Sequence, residues 1–366
     1  MHGREISVVP LGSPLFHPLS FRRLYRSTLF QVPAYDASHA LRGDAMGART
    51  TDFWLEAETA LGFRTFYSSH LATVRRIVAI RGSSSLVLDS IAQTYTDQGR
   101  RAIRWHSVHH PDTLTGVVIP HRQTAWVAGE LFATVSPPLG PILEWFSVGP
   151  KMASEPRLTE PKARLKKCLK GALTALEEAE ADHEDGDRQL INSWVGQYLP
   201  PRNQRPGRGQ HYFGCPLTSS GPQPAFLERR FSTLEITIHL SNKPLWTIAQ
   251  SIRRFTEEAL LRGYPAEIYH NTLEPSWIDH VVIPDIGLGI TSARAPHQVS
   301  GGKVRAWPYL VPAPALRNDE TEYWWEVYQK LYVQAWKIME SMREIQHQSQ
   351  PQAPSELPRI VADCIA

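Results

Sequence analysis

Two stretches of the sequence repeat one pattern. Residues 104–120 read RWHSVHHPDTLTGVVIP, and residues 268–284 read IYHNTLEPSWIDHVVIP. Six of the seventeen aligned positions are identical: the first histidine, the first proline and the closing Val-Val-Ile-Pro. An internal repeat of this kind indicates two copies of one supersecondary unit. We therefore expect two similar structural units in one chain.

The similarity extends upstream of both stretches. Short β-branched runs at residues 77–80 and 236–240 predict buried strands. A turn-rich segment follows each run, and then a helical pattern at about residues 86–97 and 245–261, each closed by a glycine. A second strand leads into the repeated stretch. This order of strand, loop, helix and strand predicts a βαβ unit with parallel strands in each copy.

The predicted domain organisation follows the two copies. A long helical segment closes each copy, and a Pro/Gly-rich linker separates them near residue 200. We predict an N-terminal extension at 1–48, a first repeat at 49–200, a second repeat at 201–346 and a flexible tail at 347–366. The extension is rich in arginine, but prolines interrupt it, so a docking arm is favoured over a targeting segment.

Composition excludes several classes of function. The net charge is only +3, which argues against nucleic acid as a partner. The sequence contains no apolar run of about 18 residues, so we predict no membrane span. The three cysteines (Cys168, Cys215 and Cys364) are far apart in sequence. This spacing favours a reducing, cytoplasmic environment and argues against a structural zinc site.

The junction between the first strand and the helix is where a phosphate-binding loop would lie. Here the sequence resembles a group of bacterial proteins built from two tandem P-loop ATPase-like repeats. In that family a strand precedes G-x-P-G-T-G-K-S, and a His-containing strand end precedes V-I-I-P. The resemblance covers about residues 52–345 and rests on Gly62, Phe63, Gly82, Gly99, His106, residues 117–120, Gly263, His270, residues 281–284 and residues 295–297.

The resemblance implies an α/β fold of two tandem P-loop NTPase-like βαβ domains with mainly parallel sheets, each followed by a long helical segment. The family's functional positions, however, are changed. Ile248 occupies the position of the phosphate-binding lysine, and Ala249 that of the magnesium-binding serine. The loop of the first copy is about five residues shorter. The positions of the family's second acidic group hold Ala128 and Ser292, so no group is expected to bind magnesium.

These changes predict a non-catalytic pseudo-NTPase rather than an enzyme. It would act as a scaffold or regulatory protein with a protein partner, either a second copy of itself or an intact homologue, and without cofactor or metal. The alternative is a nucleotide- or phosphate-binding protein, with ATP and magnesium as cofactor, that uses non-standard loop residues. The vestigial phosphate-loop positions are Gly82, Ser83, Ser84, Ser85, Ser241, Asn242, Lys243 and Thr247.

Three other groups of residues have both a functional and a structural interpretation. The histidine cluster of His106, His109, His110 and His121 suggests a metal site. Only His106 has a counterpart in the second copy, which favours a structural role for it at a strand end. Glu274, Asp279 and His280 suggest an acid–base pair, although solvated loop residues are favoured. Aromatic residues at 323–332 follow helical spacing and favour a core, with Trp325 off the main stripe and so available to a partner.

Overall fold

The computed structural model describes residues 50–82, 84–138, 140–148, 158–179, 188–202, 205–222, 225–240, 245–292, 304–306, 319–347 and 357–365. All of these belong to one compact unit, Gly47–Ala366. The predicted extension at 1–48 lies outside the described residues, as do Ser83, Ser241, Asn242 and Lys243. No helix in the described ranges has the length and apolar character needed to cross a membrane.

The first repeat begins with a strand that sequence patterns did not predict. Its elements are β1 (Thr50–Trp54), β2 (Glu56–Thr59), β3 (Gly62–Thr65), α1 (Tyr67–Leu71), β4 (Arg76–Gly82), α2 (Ser84–Asp97), β5 (Ala102–His106), β6 (Leu114–Ile119), β7 (Thr124–Ala128), β8 (Ile142–Val148) and α3 (Thr159–Ala179). Short 3-10 helices follow β6 and β7 at Pro120–Arg122 and Gly129–Ala133.

The helix α4 (Arg188–Tyr198) connects the repeats, and the second repeat then contains the same strands and helices in the same order. They are β9 (Gly209–Phe213), β10 (Leu217–Thr218), β11 (Gly221–Pro222), α5 (Ala225–Ser232), β12 (Ile236–Leu240), α6 (Leu245–Leu261), β13 (Ala266–His270), β14 (Ile278–Ile283), β15 (Leu288–Ser292), β16 (Val304–Ala306) and α7 (Asp319–His347), and α8 (Leu357–Ile365) follows them as α4 follows α3. The boundary predicted near residue 200 falls between α4 and β9.

The two repeats build one mixed sheet of twelve strands. Its order is β16-β12-β15-β14-β13-β9-β1-β5-β6-β7-β4-β8, so each half has the same internal order. Most pairs are parallel, which confirms an α/β protein with a mostly parallel sheet. β6 and β14 run antiparallel to both of their neighbours. The loops before them are too short for the crossover that a parallel pair requires.

The halves meet at a seam between β1 and β9. These strands pair antiparallel through one register position, Trp54 opposite Phe213. Phe53 stacks on Tyr212 at 4.1 Å beside this pair, and Ala60 N–H donates to the Leu273 carbonyl across the repeats. Because backbone pairing at the seam is so limited, side chains hold much of it together.

Two long helices pack on each other beside the seam. α3 and α7 share a hydrophobic cluster that also receives Val108 and Leu273 from the loops after β5 and β13. Apart from Glu160 in the first turn, the charged residues of α3 run from basic to acidic along the helix, an order that opposes the helix dipole. Packing against α7 therefore supplies the stability that the charge order does not.

A short helix after each long helix packs on the opposite repeat. α4 contributes Ile191 and Trp194 to the core around α6, and α8 contributes Val361 to the core around α2. Ile360 packs against the same core, and Arg122 Nη1 donates to the Ile365 carbonyl at 2.7 Å. The tail predicted to be flexible from residue 347 thus contains a docked helix, because its apolar residues recur at helical spacing.

Candidate functional site

The junction between β4 and α2 in the first repeat is where the resemblance predicts a phosphate-binding loop. Gly82 ends β4 with φ of +97°, a conformation that favours glycine, and α2 begins at Ser84. Ser84 and Ser85 are half-buried in the first turn of α2. That turn contains no basic residue. The site therefore offers backbone donors and two hydroxyls, without a lysine for the terminal phosphates.

In the second repeat the corresponding positions lie in the core. Ile248, at the lysine position, is 1% exposed and packs in the hydrophobic cluster that contains Ile238 and Ile252. Ala249, at the serine position, and Thr247 are also buried. Thr247 was predicted as a phosphate donor, but burial in α6 removes it from solvent. Thr247 is therefore not accessible to an anion.

The positions of the missing acidic group lie at the ends of β7 and β15. Ala128 is half-buried there, and Ser292 is buried. Gly129, the next residue after β7, lies so close to β4 that a Cβ atom would be 2.9 Å from the Ile80 carbonyl oxygen. The backbone of β4 therefore packs directly against the residue that follows β7.

An ion cluster lies at the first-repeat side of the seam. The buried carboxylate of Asp52 accepts two bonds from Arg104, at 2.7 and 3.0 Å, and one from Arg229 of the second repeat at 3.3 Å. His106 Nε2 is 2.8 Å from Asp52 Oδ1. Burial alone would raise the pKa of Asp52, but hydrogen bonds and charges from His106 and Arg104 outweigh it and lower the pKa to about 2.

Both ring nitrogens of His106 have a polar partner. Its Nδ1 lies 2.9 Å from the Pro111 carbonyl oxygen, and its Nε2 faces the Asp52 carboxylate. Both partners can accept hydrogen bonds. We therefore assign His106 a structural role in the Asp52 cluster at the seam. The sequence singled it out as a strand-end residue but did not identify Asp52, because β1 was missed.

The second repeat has a neutral version of the same arrangement. His211 is the third residue of β9, as Asp52 is of β1, and its Nδ1 lies 2.8 Å from His270 Nε2. His270 Nδ1 donates to the Pro275 carbonyl at 2.6 Å, so its Nε2 accepts from His211. Burial, followed by the neighbouring His211, lowers the pKa of His270 to about 4. This pair is uncharged at neutral pH.

Sequence patterns also did not identify two buried acidic residues of the β2–β3 hairpin. Glu56 accepts hydrogen bonds from Val108 N–H at 2.9 Å and from the Tyr67 hydroxyl at 2.9 Å, and burial raises its pKa. Glu58 is 3.4 Å from His109 Nε2, and burial raises the pKa of Glu58 to about 7. These contacts hold the hairpin against the loop after β5. Neither carboxyl is open to a substrate.

The predicted acid–base pair is not assembled. Asp279 and His280 are consecutive in β14, so their side chains point to opposite faces. Asp279 accepts two bonds from Asn271 Nδ2, at 3.3 and 3.0 Å, and burial raises its pKa to about 7. His280 Nδ1 lies 2.6 Å from Thr291 Oγ1. The expectation that these are solvated loop residues was wrong, because both are buried in a strand.

The histidines of the predicted metal cluster have separate surroundings. His106 bonds Asp52, His109 lies beside Glu58, and His121 packs edge-on against Tyr95. Among the described residues, no three His, Cys, Asp or Glu side chains are grouped so as to hold a metal ion. A cavity of about 300 Å³ is lined by Thr50, Asp89, Ser90, Ala92, Gln93, Thr96 and Arg104. None of the predicted loop positions lines it.

Comparison with known proteins identifies no relative. No family model, no curated protein and no solved structure matches the chain. Any function must therefore be argued from the geometry described above.

Proposed function

We propose that the protein is a non-catalytic pseudo-NTPase that acts as a cytoplasmic scaffold or regulatory protein. The observation that carries this proposal is the burial of Ile248 in the hydrophobic core. A P-loop lysine must reach the β- and γ-phosphates with a charged amine. An isoleucine that packs among aliphatic side chains can neither carry that charge nor point toward a ligand.

The remaining catalytic positions support the same proposal. Ala128 and Ser292 provide no carboxylate for magnesium, and Gly129 marks a close backbone approach where that carboxylate would act. The charged groups near the strand ends satisfy one another, as Asp52 does with Arg104 and Arg229. Such groups stabilise the junction between the repeats. They do not form a reactive centre.

The sheet shared by the two repeats is compatible with a scaffold role. The seam joins the repeats through the Asp52 cluster, through the Phe53–Tyr212 stack and through a hydrogen bond between His70 Nε2 and the His211 carbonyl. These contacts hold the two repeats in one orientation. A partner that contacts both repeats would therefore meet a preformed surface, which lowers the entropic cost of binding.

Phosphate release by the purified full-length chain tests the proposal. We expect no magnesium-dependent hydrolysis of ATP above the buffer rate. We also expect no rise in Tm with millimolar ATP, although a ligand at 100 times its Kd would stabilise the fold by about 2.7 kcal/mol. Magnesium-dependent hydrolysis of ATP above the buffer rate would overturn the proposal.

A second candidate function is anion binding by the first repeat. The ligand would be phosphate or a nucleotide, with ATP and magnesium as the cofactor. The observation in its favour is the positive φ of Gly82 directly before α2, which leaves N–H groups at a helix start. Stabilisation by phosphate or ATP that is lost in Ser84→Ala/Ser85→Ala would support it. Ser90→Ala is the matched control, because that hydroxyl bonds within α2.

A further inference from the structure

A cavity of about 300 Å³ lies between α2 and the adjacent strands of the first repeat. Its lining residues are Asp89, Ser90, Ala92, Gln93 and Thr96 on α2, Thr50 on β1 and Arg104 on β5. Asp89 and Gln93 are exposed, whereas Thr50 and Arg104 are half-buried. The cavity is therefore open to solvent along α2 and closed below by the sheet. Its volume is at the lower end of the range for small-molecule sites.

Apolar side chains occupy the corresponding space in the second repeat. A Cβ atom on Gly209 would lie 2.8 Å from Ile268 Cδ1 and 3.6 Å from Leu260 Cδ1. Aliphatic packing thus closes this part of the fold in one repeat, so the polar cavity in the other repeat is not a requirement of the fold. The strand registers and the closing turns of α2 and α6 give the equivalent positions, which are Thr50 and Gly209, Arg104 and Ile268, and Thr96 and Leu260.

The α2 wall of the cavity offers hydrogen-bond acceptors. Asp89 forms no hydrogen bond or ion pair among the described residues, whereas Arg253 at the equivalent position pairs with Glu257 at 3.0 Å. Gln93 Nε2 donates to Asp97 at 2.6 Å, which leaves the Oε1 atom of Gln93 as an acceptor. This wall therefore presents a carboxylate and an amide oxygen to a ligand.

The sheet side of the cavity offers hydrogen-bond donors. Arg104 donates from Nε and Nη2 to Asp52, at 2.7 and 3.0 Å, and its Nη1 makes no hydrogen bond in the part of the chain that the structure describes. Asp52 also pairs with Arg229 at 3.3 Å, so it does not fully offset the charge of Arg104. The hydroxyl of Thr50 is a second donor that bonds no other described residue. Acceptors and donors therefore line opposite sides of the cavity.

We propose that this cavity binds a small zwitterion, an amino acid whose ammonium group pairs with Asp89 and whose carboxylate pairs with Arg104. Gln93 Oε1 would accept a second hydrogen bond from the ammonium group, and the Thr50 hydroxyl would donate to the carboxylate. This assignment gives the uncommitted donors and acceptors complementary, charge-assisted partners. It goes beyond the scaffold role, because it adds a small-molecule ligand in a cavity that no predicted phosphate-loop position lines.

The electrostatics of Asp89 support a cationic group at the α2 wall. Partial burial raises the pKa of Asp89 to about 6, although the charges of His106 and Arg104, which act on it from β5, oppose that rise. An ammonium group would stabilise the carboxylate form of Asp89. A phosphate group would instead be repelled by that carboxylate, and a diamine would leave Arg104 Nη1 without an acceptor.

Isothermal titration calorimetry of the full-length protein tests the proposal. The probes are glycine, β-alanine, γ-aminobutyrate and δ-aminovalerate, which differ in the separation of their two charged groups. We expect one member of this series to bind most tightly at pH 7. The amine and the carboxylic acid of the same chain length, such as butylamine and butyrate for γ-aminobutyrate, should bind about tenfold more weakly or worse, because each lacks one charge-assisted contact.

Variants of the α2 wall separate this site from general charge effects. Asp89→Asn should weaken binding of the best probe by about tenfold or more. Glu130→Gln is the matched control, because Glu130 is also an exposed acid but does not line the cavity. Thr96→Leu copies Leu260 of the second repeat, so it should abolish binding while the Tm is kept. Binding to the wild type should weaken about tenfold from pH 7 to pH 5, since Asp89 takes up a proton near pH 6.

The proposal is overturned if none of the four probes binds at millimolar concentration, if the amine or the acid alone binds as tightly as the best probe, or if Asp89→Asn and Glu130→Gln weaken binding equally. An affinity that stays constant between pH 5 and pH 7 would contradict the role of Asp89. ATP hydrolysis would refute the pseudo-NTPase role without changing this measurement.

Discussion

Replacement of Asp52 by asparagine should weaken the seam more than any exposed charge change. The pKa of Asp52 falls from 3.8 to about 2 in the folded protein. At 1.36 kcal/mol per unit, this preference for the charged form is worth about 2.4 kcal/mol. Asparagine keeps the shape but removes that charge from Arg104, His106 and Arg229. We expect a loss of about 2–4 kcal/mol at pH 7, which overlaps the roughly 3–5 kcal/mol typical of a broken buried ion pair.

Urea unfolding followed by tryptophan fluorescence measures this change, because Trp54 and Trp105 are buried beside the cluster. Since the folded pKa is depressed, the contribution is complete above the unfolded pKa of 3.8 and is lost as the pH falls toward 2. The difference between wild type and Asp52→Asn should therefore shrink across that window. Asp285→Asn is the control, because its pair with Arg202 is exposed, so solvent screens it and its loss should cost much less.

A loss below about 0.5 kcal/mol for Asp52→Asn at pH 7 would refute the reasoning, because removing the charge of a paired, buried carboxylate should cost more stability than that. Equal losses in Asp52→Asn and Asp285→Asn would do the same. Such a result would mean that solvent screens the cluster as it screens a surface pair. The seam would then depend on its aromatic contacts alone.

Three further predictions concern other parts of the fold. Because the pKa of His270 is lowered from 6.5 to about 4, the unfolded chain takes up a proton before the folded one, so this residue should remove up to about 3 kcal/mol between pH 6.5 and 4. His270→Gln should flatten that part of the stability profile, and an unchanged slope would contradict the assignment. Val361→Ser should cost about 2–3 kcal/mol in urea unfolding by releasing α8 from α2, whereas the exposed Ala362→Ser should cost almost nothing. Gly129→Ala should lower stability by about 1–3 kcal/mol, because its Cβ would lie 2.9 Å from a backbone oxygen, and a neutral result would show that β4 and β7 can separate.

Local patterns predicted the elements well where their signal was strong. The helix expected at 245–261 is α6, Leu245–Leu261, because apolar residues at helical spacing and a closing glycine define it. The helix expected from residue 86 begins at Ser84. Within the segment predicted as a flexible tail, the structure places a nine-residue helix at Leu357–Ile365 that sequence patterns did not predict. Apolar periodicity over so short a segment does not predict a packed helix unless the surface against which it packs is known.

The candidate site was predictable only in part. The family resemblance singled out Ile248 and Ala249 as changed loop positions, but it did not predict their burial in the core. Asp52 and His211 were missed because β1 and β9 are five-residue strands without strong alternation. Asp279 was placed in a solvated loop, because a buried carboxyl within a strand is rare in sequence statistics.

The sequence by itself determined the repeat and the βαβ order of its elements, because each depends on residues close together in the chain. Only the tertiary structure decided that both repeats share one sheet, that Asp52 meets Arg229, and that α8 packs on the opposite repeat. Those outcomes depend on pairings between distant segments. Their energies come from burial and charge neutralisation that exist only once the chain has folded.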